Sequence, residues 1–200
     1  MNVDEAIAER RSIRRYRSDP IPDEIVQRLL EAARLAPSSS NLQSWKFKLV
    51  SDFETRKRLR EMAFNQRFIE MAPLVIVCCA DLFAFKERMR RSFELITEGK
   101  VRPNLEMMMR MAVRAGRGED REAYQIISAA INVAIAVENI VLEATELGLG
   151  TCWVRAFEQD SVAEFLKLPL EVIPIVLLPV GYPAESPAQR PRKSLDEITI

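Results

Sequence analysis

The stretch 124–147 constrains this chain more than any other. Ile126, Ile127, Ile131, Val133, Ile135, Val137, Ile140, Val141 and Leu142 fall at spacings that a helix spreads over nearly its whole circumference. A helix apolar all round is buried in a large core or crosses a membrane. Crossing needs about 20 nearly unbroken apolar residues, and Glu138, Asn139 and Glu143 interrupt this run. One domain of a 200-residue chain struggles to hide every face of such a helix. We therefore expect it at an interface between two copies of the chain. A central helix of a monomer is the alternative.

Composition narrows the chemistry. Lys plus Arg number 29 and Asp plus Glu 29, so no overall field points to nucleic acid or membrane. Residues 1–20 carry Asp4, Glu5, Glu9 and several arginines with no apolar segment, unlike a secretory signal. Cys78 and Cys79 are adjacent and Cys152 is distant, which suits reduced thiols and a cytoplasmic protein better than disulfides or zinc. The chain has no histidine. That excludes Ser-His-Asp triads, Cys-His pairs and His-ligated metals. An enzyme of this sequence must use carboxylates, lysines, thiols or a cofactor, and cofactors carry hydride chemistry with little help from protein acids and bases.

Residues 2–10 read as a short helix. Ile21-Pro22-Asp23-Glu24 opens a second, with Ile25, Leu29, Leu30, Ala33 and Leu35 on one buried stripe, and Pro37 ends it. A strand is expected over 46–51 and a helix over 53–62. The apolar run 73–80 suits a strand buried on both faces. Residues 83–120 are charged, Met-rich and helical in pattern, with a break near Gly116-Arg117-Gly118. Gly148 caps the long helix. A strand over 151–154 and a short helix over 162–168 follow. The last strand, 173–181, contains Pro174 and Pro179, which point to an edge or irregular ends. The polar tail 183–200 should run extended over a surface. No repeat or linker divides the chain, so one domain over 1–200 is expected. Helices and strands mix without regular βαβ alternation, which makes the class α+β.

Four constellations are able to carry chemistry. In an extended Arg10-Arg11-Ser12-Ile13-Arg14, residues two apart share a face, so Arg10, Ser12 and Arg14 point together and suit a phosphate monoester. A solvated basic patch or a nucleic-acid contact are the other readings. Ala36 to Trp45 is a helix end followed by small polar residues and the amides Asn41 and Gln43, able to address the edge of a heterocycle, or else a plain turn. Gly148-Leu149-Gly150-Thr151-Cys152-Trp153 permits close backbone approach, or is a simple cap. Arg190-Pro191-Arg192-Lys193 is a second phosphate contact, or a solvated tail.

In this order, from Arg10 to Lys193, the four pieces resemble the nitroreductase family of FMN enzymes. The resemblance implies a nitroreductase-like FMN-binding fold, a central mixed β-sheet flanked by helices, with the long central helix at the interface of a homodimer. Each FMN would sit in the groove between subunits, touched by both chains. Arg10, Ser12 and Arg14 would hold its phosphate with Arg190 and Arg192, and Arg11 and Lys193 are the next contacts. Pro37, Ser38, Ser39 and Asn41 would meet the ring and ribityl chain. Asn65, or Gln66 beside it, would address the pyrimidine edge. Trp153, Val154, Arg155 and Ala156 would lie against the ring, with the Arg155 N–H facing the hydride-carrying N5.

The implied activity is a two-step, ping-pong transfer from NADH or NADPH through the flavin to a small acceptor such as a nitroaromatic or a quinone. Residues 83–120 would form a lid-like insertion, with Met107, Met108, Met109 and Met111 either an adaptable surface or core filling. Phe83, Phe85 and Tyr124 are further pocket candidates, whereas Trp45 and Trp153 read as core. Two departures from the family pattern stand out: Ser44 where proline is usual, and Arg155 and Ala156 where glycine is. Reductive dehalogenation, flavin cleavage and flavin binding without turnover are the alternatives on the same fold.

Overall fold

A computed structural model of the protein describes residues 1–102, 104, 106 and 119–200. The methionines 107–109 and 111 and the glycine break at 116–118 lie outside the described residues. Helix α1 (Val3–Glu9) starts at a capping box in which Asn2 and Glu5 satisfy each other's backbone N–H groups, both at 2.9 Å. Helix α2 (Asp23–Arg34) buries Val26, Leu29 and Ala33. Ile25 and Leu30 are half-buried beside them, while Leu35, expected on the same stripe, is exposed just past the helix end.

Strand β1 (Trp45–Val50) leads into α3 (Phe53–Met62), capped by the Asp52 carboxylate at Thr55 N–H, 2.8 Å. Then come α4 (Phe68–Met71), β2 (Leu74–Asp81), α5 (Phe83–Lys86) and α6 (Arg88–Thr97). The long helix is α7 (Glu119–Glu146), followed by β3 (Gly150–Thr151), α8 (Gln159–Phe165), β4 (Val172–Gly181) and α9 (Leu195–Ile198).

The four strands run in the order β1-β2-β4-β3, every pair antiparallel. The sheet expected to be mixed has its parallel pairing in one isolated bridge, Ser12 with Thr151. Strand β2 is buried on both faces, as its apolar run demands. Leu74, Ile76, Cys78 and Ala80 join α2 and α7 in one core. Val75, Val77 and Cys79 join Leu59, Ile69 and Val162 in a second core across the sheet. The prolines of β4 find local solutions. Pro174 sits opposite Cys79 where the register shifts, a bulge that needs no N–H there. Pro179 offers its carbonyl to Cys152 N–H at 3.3 Å, on the side flanked by the two-residue β3.

Helix α7 has two unlike apolar faces. Val133, Ala136, Val137, Ile140, Val141 and Ala144 are fully buried against α2 and the sheet. Its polar residues also have inward partners: Asn139 donates to Ala32 O (3.1 Å), and Glu143 accepts from Arg28 (2.7 and 3.0 Å). By length and composition Glu122–Glu146 is able to cross a membrane, but this inner face is a protein core. The outer face is bare, with Ile127 60 %, Ile131 56 % and Ile135 37 % exposed. Gly148 ends the helix at φ +71°, and Leu149 N–H reaches back to Ala144 O at 2.7 Å.

The segment 12–17 crosses the sheet end. Ile13 N–H donates to Thr151 O and Arg17 N–H to Tyr182 O, both at 2.9 Å, and the buried Tyr16 hydroxyl donates to Ile13 O at 2.6 Å. Two glycines make room. A Cβ on Gly150 would lie 2.6 Å from Ile13 Cγ1, and one on Gly181 2.5 Å from Pro73 Cδ. Gly150→Ala therefore forces Ile13 off β3. We expect it to destabilise the protein by about 1–3 kcal/mol, read as a fall in Tm of roughly 2–4 °C per kcal/mol.

Candidate functional site

Arg10 closes α1 with extended angles (φ −51°, ψ 130°), so the next residues alternate across the chain. Arg10, Ser12 and Arg14 all line one cavity of about 70 Å³. Arg11 lines it too, although one of its nitrogens, Nη1, donates to Ala8 O and Arg10 O (2.6 and 2.8 Å) at the end of α1. Arg190 and Arg192 complete the wall from the other end of the sequence. Lys193 is exposed and outside the lining. Five guanidinium groups and a hydroxyl line the cavity without a carboxylate, a donor set that fits a multiply charged anion.

The thiols take no part as nucleophiles. Cys152 lies close enough to Arg14, Arg190 and Arg10 to feel their charge, yet burial outweighs them and pushes its thiol up. Burial pushes Cys79 up to about 12, against the pull of Lys48, and raises Cys78 well above its ordinary value. All three are buried and uncharged at neutral pH, hence inert.

The turn after α2 is strained. Ser40, Asn41 and Gln43 have φ of 54°, 50° and 49°. Phe64 and Asn65, in the loop after α3, have 53° and 58°. Among the described residues these are five of the six non-glycine positions in the left-handed region, the other being Lys167. Such conformations cost of order 1–3 kcal/mol each and gather at functional sites. A small network holds the 38–44 turn. Ser38 Oγ accepts from Gln43 N–H (2.9 Å), and Gln43 Nε2 donates to Asn41 Oδ1 (3.2 Å). From α7, Asn132 accepts from Ser39 N–H (3.2 Å) and donates to Ser44 Oγ (2.9 Å). Ser44 and Asn132 are buried, so the serine at the position where proline is usual serves as the partner of a core amide. Helix α6 packs on this turn. Pro37 and Ser39 are exposed; Ser38 and Asn41 are half-buried.

Asn65 is exposed, and its side chain has no hydrogen bond among the described residues. Gln66 is committed instead: its Nε2 donates to Ala63 O and Ala156 O, both at 3.0 Å, tying that loop to the 153–156 segment. Val154 is buried and exchanges both backbone bonds with Leu177 at 3.0 Å. Arg155 and Ala156 are exposed, and nothing among the described residues accepts from the Arg155 N–H. The half-buried Trp153 lies close enough to Glu138 for its side chain to favour the charged carboxylate. Burial raises the Glu138 carboxyl, against the charge of Arg10 and the Trp153 side chain. Of the aromatic candidates, Trp45 and Phe85 are buried, and Phe83 and Tyr124 are exposed.

The structure thus gathers Arg10, Arg11, Ser12, Arg14, Arg190 and Arg192, and Glu138 stands near Arg10 and Trp153. It does not bring the 38–43 turn to that cavity. The turn rests on Asn132, six residues and about 9 Å of helix rise from Glu138. Glu138 itself stands seven residues after Ile131, on the bare face of α7. Asn132 and Glu138 enter through the fold alone; in the sequence they are two of several polar residues inside an apolar helix, with nothing local to set them apart.

Comparison with known proteins follows the same line. The model of the nitroreductase family matches residues 7–182. The chain belongs to the nitroreductase family. This nitroreductase-family chain is 34% identical over 195 residues to a protein of Thermus thermophilus named NADH dehydrogenase, covering 98% of this chain and 93% of that one. It is 31% identical over 193 residues to an FMN reductase (NADPH) of Bacillus subtilis, covering 96% and 70%. Its fold superimposes on that of NfrA1 of B. megaterium with a TM-score of 0.78, at 32% identity, over 99% of this chain and 73% of that one.

Asn132→Leu would leave the Ser44 Oγ buried without its partner and remove the acceptor of the Ser39 N–H. We expect a loss of about 1–3 kcal/mol, measured by urea unfolding, with m unchanged.

Proposed function

We propose that this chain is an FMN-dependent oxidoreductase. It takes reducing equivalents from NADH or NADPH and passes them to a small acceptor, a nitroaromatic, a quinone or a related molecule, in two alternating steps. It works as a cytoplasmic homodimer, with a flavin in each groove between copies. The observation that carries this reading is a cavity of five guanidinium groups at the end of a bare apolar helix face.

The residues present fit FMN. A phosphate monoester carries about −1.5 to −2 charges at neutral pH, and Arg10, Ser12, Arg14, Arg190 and Arg192 offer it donors only. Arg11 is a further contact, and Lys193 stands next in the chain. The strained turn with Pro37, Ser38, Ser39 and Asn41 would meet the ring and ribityl chain, and Asn65 offers a free amide. FMN, when bound, supplies the hydride and electron chemistry. The protein then has to bind, orient and exclude water. The guanidinium cluster anchors one end, and the Arg155 N–H is open to an acceptor atom of the ring. The chain's lack of histidine and its neutral buried thiols suit that division of labour.

Packing supports the dimer. Tyr124, Ile127, Ile131 and Ile135 form an exposed stripe that runs to Glu138, beside Arg10 and Trp153. A second copy closing this stripe would place its own 38–43 turn near a cavity that the same turn does not reach within one chain.

Purified protein should be yellow and oxidise NAD(P)H, with parallel double-reciprocal plots when donor and acceptor are varied. Protein that stays colourless after FMN addition overturns the proposal. Arg14→Ala should weaken FMN binding by about 1.5–3 kcal/mol, a loss of roughly 10- to 100-fold in Kd. Ile131→Glu buries a charge in the proposed seam, so sedimentation should find monomers that retain little flavin; an intact dimer would remove the seam from α7.

A further inference from the structure

Glu185 has no role in the site described so far, yet it is the last anchor before the C-terminal arginines. One of its oxygens, Oε1, accepts from two successive backbone amides, Arg14 N–H at 2.5 Å and Arg15 N–H at 3.1 Å. It ends a short ladder. Arg17 N–H donates to Tyr182 O and Ala184 N–H to Arg15 O, both at 2.9 Å, and Tyr16 bridges Pro183. Beyond it, no hydrogen bond among the described residues ties 186–193 to the rest of the chain; the Arg192 guanidinium bonds only to its neighbours' carbonyls. Arg190 and Arg192 nevertheless line the same cavity as Arg10, Ser12 and Arg14.

The choice of partner matters. Arg14, Arg190 and Glu185 all lie close enough to Cys152 to act on its thiol. A carboxylate in such company ordinarily takes a guanidinium in a bidentate pair. This one takes main-chain donors instead and lies outside the cavity lining, so the guanidinium groups stay open to a ligand.

We propose that Glu185 is a positioning residue of the anion cavity: its grip on the Arg14 and Arg15 amides sets the tail so that Arg190 and Arg192 close on a phosphate held by Arg10, Ser12 and Arg14. This rests on the FMN reading and specifies how the phosphate is told from its absence. The test titrates the full-length protein with FMN and with riboflavin, which has the same ring and no phosphate, following flavin fluorescence. Glu185→Ala should weaken FMN binding about tenfold or more and riboflavin binding less than about twofold, while Glu185→Gln, which keeps an acceptor oxygen, recovers most of the loss. In an Arg190→Ala, Arg192→Ala background, removing Glu185 should cost nothing further. Equal losses for both flavins, or an undiminished loss in that background, overturns the proposal.

If the unmodified protein binds neither flavin, the FMN reading fails, and hydrogen exchange decides the role of Glu185. Glu185→Ala should speed exchange in 13–17 and 182–187 and leave α7 unchanged; unaltered exchange there removes Glu185 from the anchor.

Discussion

The antiparallel contact between 12–17 and 182–185 holds the candidate site together. It gathers guanidinium groups from opposite ends of a 200-residue chain into one small cavity, against their mutual repulsion. The cost is offset by features outside the cavity lining. Backbone bonds at the sheet end fix the two segments, Glu185 and Glu138 contribute opposite charge nearby, and Gly150 and Gly181 leave room for Ile13, Pro73 and Tyr16. The basic cluster is therefore built into the fold and differs from a solvated basic surface.

Helix α7 organises the rest. Its inner face belongs to a core shared with α2 and the sheet, and its flank carries Asn132, which fastens the strained turn. Its outer face runs to Glu138 and the cationic cavity. One helix thus supports the turn and borders the cavity without bringing the two together in a single chain.

Much of this was legible in the sequence because it depends on local periodicity. The alternation of Arg10, Ser12 and Arg14 becomes one cavity wall once the chain is extended, and the run 73–80 becomes a strand with a core on each face. The all-round apolar character of 124–147 corresponds to a helix with one buried and one bare face. What could not be read depends on distance along the chain. Asn132 meets Ser39 across 93 residues, and Glu185 meets Arg14 across 171. No local pattern marks such pairs. Gln66 stands as the second choice after Asn65 in the sequence, and the fold shows that its amide is spent on Ala63 and Ala156. The prolines of β4 point to an edge or to irregular ends; the strand lies between β2 and β3, where a bulge and a two-residue neighbour accommodate them.

The uncovered isoleucines of α7 have a consequence for the life of the protein in dilute solution. If a second copy covers them and completes the groove, association and cofactor retention are linked equilibria, and each strengthens the other by the same factor. A scarce chain would then drift toward separate, pale subunits, and a concentrated one would hold its flavin tightly. The amount of protein in a compartment would itself set how much of it is loaded.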